Sequence, residues 1–305
     1  MSSSSERIAW LNEQYSPSRT AHDFNASIQS YKAGTEAARA AISGKRHRVI
    51  AYGAPSANRI ECFLPRAEGA PGETVRGGAQ KGAPIFAFLH GGWWQDLSID
   101  YAAAPAIALT DAGAIYASIG YTLTPAVGLR EIVAEVSAAL TTIAANATGL
   151  GGDPRRIVLA GHSAGAHLAA AQLTALTAEA PRHTAAGLLL IGGAYDLGPI
   201  AESYVNEKVQ MSEGDAAALS PALLTPLHDV PVKIRVGEDE PQEFHRNAAL
   251  LLERWAPSLS AIDSTILSGR DHFDALDELA DPRGRLYADA LELLGISTKR
   301  AAVGR

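Results

Sequence analysis

From residue 84 onward the chain alternates short apolar runs with amphipathic stretches. The runs 84–89, 114–119, 157–160, 186–191, 230–236 and 264–267 are mostly aliphatic or branched, as expected of strands buried on both faces. Between them, residues 131–143 place Ile132, Val136, Leu140 and Ile143 on one face at three- and four-residue spacing. Residues 167–171, 243–255 and 282–294 read as further helices. Strands separated by helices predict βα crossovers and a mostly parallel sheet, with ligands at the carboxyl ends of the strands.

Two earlier runs, 46–52 and 59–64, add strands and bring the expected sheet to eight. The segment 67–82 is rich in Gly, Ala, Pro and charge without apolar period, and reads as a surface loop joining two strands. Residues 5–15 and 23–43 read as polar helices carrying Ile8, Leu11, Ile28 and Tyr31, a cap outside the main sheet. There is no tandem repeat. The expected organisation is one α/β domain over 1–305, with a helical cap segment at 1–45 and a catalytic core at 46–298.

Composition narrows the function. Hydrophobic residues make up 47% and charged residues 19%, a globular profile. The net charge of −7, with no basic stripe, argues against nucleic acid as a partner. The single cysteine, Cys62, rules out an internal disulfide and sits in a strand-like stretch, where a buried structural thiol is expected. The first residues lack an apolar signal core and no run is long enough to span a membrane, so a cytoplasmic location is the default expectation.

The candidate chemistry centres on Gly161-His162-Ser163-Ala164-Gly165, which follows one apolar run and precedes a helical one. Gly-x-Ser-x-Gly between strand and helix is a nucleophile elbow. The sharp turn lifts the Ser163 hydroxyl above the sheet edge, where developing negative charge meets free N–H groups and the positive helix end. His90-Gly91-Gly92-Trp93-Trp94 ends the strand at 84–89. Its adjacent glycines let the backbone approach a tetrahedral oxyanion, so the expected donors are Gly91, Gly92 and the N–H of Ala164.

A general base should follow the last strand. Of the three histidines after residue 183, His228 lies at the wrong end of a strand and His245 at a helix start. His272 follows a strand and a Gly-containing loop, the expected place. His162 and His167 read as local packing, and His90 as an anchor for its own loop. The acid is more open. Glu238, Asp239 and Glu240 are consecutive, so they cannot all point inward, and Asp196 is a rival at the end of another strand. Asp271 is too close in sequence to reach around its neighbour.

These residues resemble the kynurenine formamidase (arylformamidase) branch of the α/β-hydrolase fold, near the hormone-sensitive-lipase-like esterases. The resemblance rests on Glu13-Gln14-Tyr15-Ser16-Pro17-Ser18-Arg19, His90–Gln95 with Leu97-Ser98, the elbow extended to Ala170, Tyr195-Asp196-Leu197, Tyr204–Glu207 and Ser220-Pro221. It covers about residues 9–275. It implies an α/β-hydrolase fold and picks Glu240 as the acid, three positions after Gly237 and three before Glu243-Phe244, with Asp239 in reserve. That family often carries Tyr where this chain has Trp93.

The resemblance further implies hydrolysis of an N-formyl arylamine, with N-formyl-L-kynurenine as type substrate, and implies no metal and no cofactor. Trp93, Trp94 and Tyr204 are the expected substrate-binding residues, with the N-terminal helices and their Tyr15 and Tyr31 roofing a small acyl pocket. The alternative activity is a carboxylesterase for short acyl esters. A non-catalytic binding protein ranks below both, because serine, histidine and acid all survive. For partners, the expectation is a small amide or ester, with neither nucleic acid nor membrane and a homodimer admitted.

Overall fold

The computed structural model describes residues 4–66, 82–174 and 185–297. The loop expected at 67–82 falls, apart from Gly82, outside the described residues. Eight strands, β1 (His47–Ala51), β2 (Arg59–Phe63), β3 (Ala83–Leu89), β4 (Ile115–Ile119), β5 (Gly152–His162), β6 (Gly187–Ile191), β7 (Val232–Gly237) and β8 (Ile262–Leu267), form one sheet in the order β1-β2-β4-β3-β5-β6-β7-β8. β1 and β2 pair antiparallel, as do β2 and β4; every later pairing is parallel. The mostly parallel eight-stranded sheet is therefore as expected.

Side-chain alternation along the strands divides the core into two faces. Ile85, Ala87 and Leu89 of β3 and Ile157 and Leu159 of β5 face one cluster; Phe86, Phe88, Val158 and Ala160 face the other. The helices follow the same division. α1 (Ser4–Gln14) joins the first face through Leu11, and α2 (Phe24–Ala41) joins the second through Ala38. α3 (Ala106–Asp111) lies on the second face, and α4 (Leu129–Asn146) and α5 (Ala164–Ala171) on the first. The short α6 (Gly198–Ala201), α7 (Asn206–Val209) and α8 (Glu213–Ala218) follow, then α9 (Gln242–Trp255) on the first face. α10 (Asp277–Ala280) and α11 (Arg285–Leu294) close the second face. Cys62 is wholly buried, and burial pushes its thiol up to about 12, as a structural thiol should be.

Strand order places the functional crevice. From β3 the chain crosses to β4 on one side, then returns to β5 on the other, so the loops after β3 and β5 diverge at the middle of the sheet. Several elements differ from expectation, among them the unforeseen α3 and α10. β5 reaches back to Gly152 through a register shift against β3, because Asp153-Pro154-Arg155-Arg156 hides a strand from any apolar pattern. α11 begins at Arg285, since Pro282 and Gly284 interrupt the helical run before it. The short helices α6, α7 and α8 hold too few turns to show a period.

The cap segment is fastened to the core by charge as well as packing. Arg39 of α2 bonds Glu61 of β2 through two nitrogens at 2.7 Å and reaches Asp100, while Arg7 of α1 pairs with Glu202. Asp23 caps α2 by accepting from the Ala26 N–H at 2.9 Å.

A buried ion pair ties β7 to α11: Arg235 donates to Asp289 at 2.6 Å with both side chains inaccessible. Burial alone would raise the Asp289 pKa, but the hydrogen bond and charge of Arg235 win and lower it. We expect Asp289→Ala to cost about 3 kcal/mol, because it removes the buried partner of Arg235 Nε and Nη2 and leaves the guanidinium only the half-exposed Asp263 and a backbone carbonyl. The measurement is the urea midpoint, and an unchanged midpoint refutes the estimate. In the wild type this contribution is present above the unfolded carboxylate value, about 3.9, and disappears as pH falls through the lower native value.

Candidate active site

The elbow is a backbone-on-backbone contact. A Cβ on Gly161 would lie 2.1 Å from the Gly165 carbonyl oxygen, and one on Gly165 would lie 2.1 Å from that of Leu89. Neither position admits a side chain, so both glycines are dictated by packing of α5 against β3 and β5. Between them Ser163 takes φ 55° and ψ −120°, a conformation that non-glycine residues rarely occupy. It is held by its own N–H, which donates to Ile191 O at 2.8 Å. The hydroxyl thus stands at the N-terminus of α5.

The loop after β3 lies beside it. A Cβ on Gly91 would sit 3.1 Å from Ser163 Cβ, and Gly92 has φ +100° with the Asp96 carbonyl 2.1 Å from its missing Cβ. Trp93 and Trp94 follow at φ 49° and 59°, a run of left-handed residues that surrounding contacts must hold in place. Several contacts do so. The His90 Nδ1–H donates to Gly91 O at 2.8 Å, the Tyr121 hydroxyl donates to His90 O at 2.8 Å, and the two rings stack at 4.2 Å. Burial lowers the His90 pKa to about 4, so the ring is neutral and anchors its loop, as expected from the sequence. The N–H groups of Gly91, Gly92 and Ala164 have no partner among the described residues.

The structure brings His272 and Glu240 together: His272 Nδ1 donates to Glu240 Oε2 at 2.6 Å, with both side chains buried. The other carboxylate oxygen of Glu240 accepts from the Gly237 N–H at 2.8 Å. The rival acids are engaged elsewhere. Asp196 pairs with Arg246 at 3.0 Å, Asp239 reaches His22, and Asp271 accepts backbone N–H groups within its own loop. Among the described residues the Ser163 hydroxyl forms no hydrogen bond; contacts of this kind tighten when substrate binds.

Three residues at the site were missed by sequence reasoning, or given a smaller part. Gly192, at φ +54°, would place a Cβ 3.0 Å from Glu240 Oε1 and 3.1 Å from His272 Nδ1, so only a glycine leaves room for the pair. Its position after β6 was the available signal. His162 Nε2–H donates to His272 O at 2.7 Å, and burial, then the neighbouring His272, holds its pKa well below the ordinary value. It is thus a brace for His272 and more than local packing. Phe244, used in the sequence only to fix register, lies 4.6 Å from the His272 ring.

The expected substrate-binding residues divide. Trp93 is half-buried, meets Phe244 at 6.1 Å, and has Tyr15 edge-on at 5.8 Å behind it. Trp94 is corrected: it is wholly buried and edge-on to His167 at 5.0 Å, so it supports the loop from within the core and offers substrate no surface. Tyr204 is exposed, and its hydroxyl donates to Tyr15 O at 3.0 Å, fastening α1 to the loop before α7. Tyr15 and Tyr31 are also buried braces, bonded to Glu243 Oε2 and Phe273 O respectively.

Gly192→Ala offers a clean test of this geometry. The added methyl displaces Glu240 or His272 by a fraction of an ångström and forces a left-handed alanine. We expect kcat to fall by about 10- to 100-fold with the fold retained, since small misplacements are costly at a reacting centre. Full activity in a variant with native circular dichroism refutes the packing argument.

Comparisons with known proteins bear on the fold and the family. A family model described as alpha/beta hydrolase fold matches residues 86–241, just over half of the 305 residues. The kynurenine formamidase of Danio rerio is 28% identical over 299 residues, covering 94% of this chain and 96% of its own. That of Salmo salar is 26% identical over 304 residues, covering 94% and 96%. A crystal structure from Silicibacter sp. TM1040, provisionally named a thioesterase, superposes with a TM-score of 0.78 at 28% identity, covering 91% of this chain and 97% of its own. No helix among the described residues is long and apolar enough to cross a membrane. The chain is a member of the alpha/beta hydrolase fold family.

Proposed function

We propose that this chain is a serine hydrolase that cleaves a small amide, an N-formyl arylamine such as N-formyl-L-kynurenine, to formate and the free amine. The observation that carries the substrate is similarity over 94% of this chain to two kynurenine formamidases, 96% of whose own length is covered. The geometry supports the chemistry. Ser163 Oγ attacks the formyl carbon while His272 Nε2 takes its proton. The Nδ1–H bond to Glu240 fixes the tautomer and steadies the imidazolium that forms. The tetrahedral oxyanion is met by the unpaired N–H groups of the Gly91-Gly92 loop and Ala164, at the positive end of α5. His272 then protonates the departing amine. Water attacks the formyl-enzyme with His272 again as base, and formate leaves.

Trp93 and Phe244 form an apolar wall beside the base, and Tyr15 and Trp94 fix it from behind. A rigid wall favours a small acyl group and a flat aromatic leaving amine. The second reading, a carboxylesterase for short acyl groups, uses the same residues. It is favoured by the solved structure that bears a thioesterase name.

Ser163→Ala and His272→Ala should each lower kcat by about 10⁴-fold or more, and the double variant should be little worse than either, because the residues act as one unit. Glu240→Gln should lower kcat more than Asp239→Asn or Asp196→Asn. Independent multiplicative losses, or a crippling Asp239→Asn, overturn the assignment.

The substrate is tested by rates on N-formylkynurenine beside a p-nitrophenyl ester series. We expect kcat/KM to be highest for formyl and acetyl and to fall steeply by butyryl, each methylene being worth roughly 1–3 kcal/mol in an apolar pocket. Trp93→Ala should flatten that decline. A flat wild-type profile with no formamide turnover selects the esterase reading.

A further inference from the structure

One side chain of the cap segment touches both the Glu240 loop and the His272 loop. His22 lies between α1 and α2, immediately before the Asp23 cap. Its Nδ1 is 2.9 Å from Asp274 Oδ2, and its Nε2 is 3.0 Å from Asp239 Oδ2. Its backbone N–H donates to Asp271 Oδ2. Asp239 directly precedes Glu240, and Asp271 directly precedes His272. One ring therefore spans the loop bearing the acid and the loop bearing the base.

The chemistry of the ring sets its charge. Carboxylates only accept, and a neutral imidazole has a single N–H, so two carboxylates on its two nitrogens require the doubly protonated form. The groups facing His22 are Asp239 from the β7–α9 loop and Asp271 and Asp274 from the loop after β8, all acidic. On its own segment Asp23 is turned to the α2 N-terminus. Asp271 is wholly buried, and its Oδ1 accepts from the Phe273 and Asp274 N–H groups at 2.7 and 2.8 Å, which fixes the turn around His272. Loss of the proton leaves three carboxylates around a ring that can satisfy only one of them through a ring N–H.

We infer that His22 is a positioning residue: as an imidazolium it clamps the Glu240 loop to the His272 loop and holds the acid–base pair at bonding distance. The inference rests on the reading that Ser163, Glu240 and His272 act together. The hydrogen bond to Asp274, then that to Asp239, raises the His22 pKa above its ordinary value against a small opposing effect of burial. A raised native value means the clamp is complete below the unfolded value, about 6.5, and is released as pH rises through the native one. The ring is half-exposed, so the ion pairs are screened and contribute little to global stability. The effect belongs in kcat, through the geometry of the base.

The test is kcat and KM from about pH 5.5 to about pH 9.5 on p-nitrophenyl acetate and on N-formylkynurenine, for wild type, His22→Gln and His22→Lys. Wild-type kcat should decline on the alkaline side of the ordinary histidine value, about 6.5, with KM unchanged. His22→Gln should lower kcat about three- to ten-fold at neutral pH and remove that decline, as expected of a slight misplacement. His22→Lys should retain near-wild-type kcat and move the decline toward the lysine value, about 10.4.

A His22→Gln variant with wild-type kcat and the same alkaline decline overturns the inference, as does one that lowers only the melting temperature. If that variant does not fold, the profile of His22→Lys decides in the same way. A rise in melting temperature with Mn²⁺ in the wild type and not in His22→Gln also overturns it, by showing a metal among the carboxylates. A wild type that turns over the ester but not the formamide refutes the substrate assignment alone, since the clamp is still read from the ester.

Discussion

The contact of α5 with the ends of β3 and β5 governs everything above it. Backbone lies on backbone there, with Gly161 and Gly165 each within van der Waals reach of a carbonyl oxygen. That closeness forces the turn at Ser163 and points α5 at the space above the sheet. It also draws the β3 loop inward until Gly91 lies against the serine. The expected nucleophile and the expected oxyanion donors are therefore set by one packing event, and neither can shift without the other. The left-handed backbone at Ser163, Trp93 and Trp94 is strain of order 1–3 kcal/mol each, tolerated because His90, Tyr121 and Ile191 O over-determine the loops.

Around this centre the protein spends side chains on positioning. Gly192 leaves room for Glu240 and His272; His162 holds the backbone of His272; Phe244 walls the His272 ring, with Trp93 and Tyr15 packed against Phe244. Buried hydrogen-bond partners explain why Tyr15 tolerates complete burial: its hydroxyl bonds Glu243, which is bound in turn by Arg246. The cap segment emerges from these contacts as a brace. It enters the core through Leu11 and Tyr15, grips the β8 loop through Tyr31, and touches both catalytic loops through His22.

Much of this was legible in the chain because its signals are local. Apolar runs between amphipathic stretches gave the parallel strands, and Gly-x-Ser-x-Gly between two such elements gave the elbow, since its spacing is fixed by one tight turn. The position of His272 after the last strand was readable for the same reason. The start of β5 was not, because the charged residues at 153–156 bulge between the pairs Ala83–Gly152 and Ile85–Ile157 and carry no apolar pattern. Trp94 was misread because two adjacent tryptophans are equivalent in a sequence, whereas the left-handed turn sends one inward against His167 and leaves the other half-buried beside Phe244.

By itself, then, the sequence determined the sheet and the tight strand-to-helix turn, and singled out Ser163 and His272 as candidates, all consequences of periodicity and short-range sterics. Only the tertiary structure separated Glu238, Asp239, Glu240 and Asp196 by their partners, because carboxylates adjacent in a chain differ solely in where each side chain is directed. Glu240 meets His272, Asp239 meets His22 and Asp196 meets Arg246. The parts of Gly192, His162 and His22 were likewise set by contacts between residues far apart in the chain. Such contacts exist only once the strand order has brought the loops after β6, β7 and β8 to the same edge of the sheet.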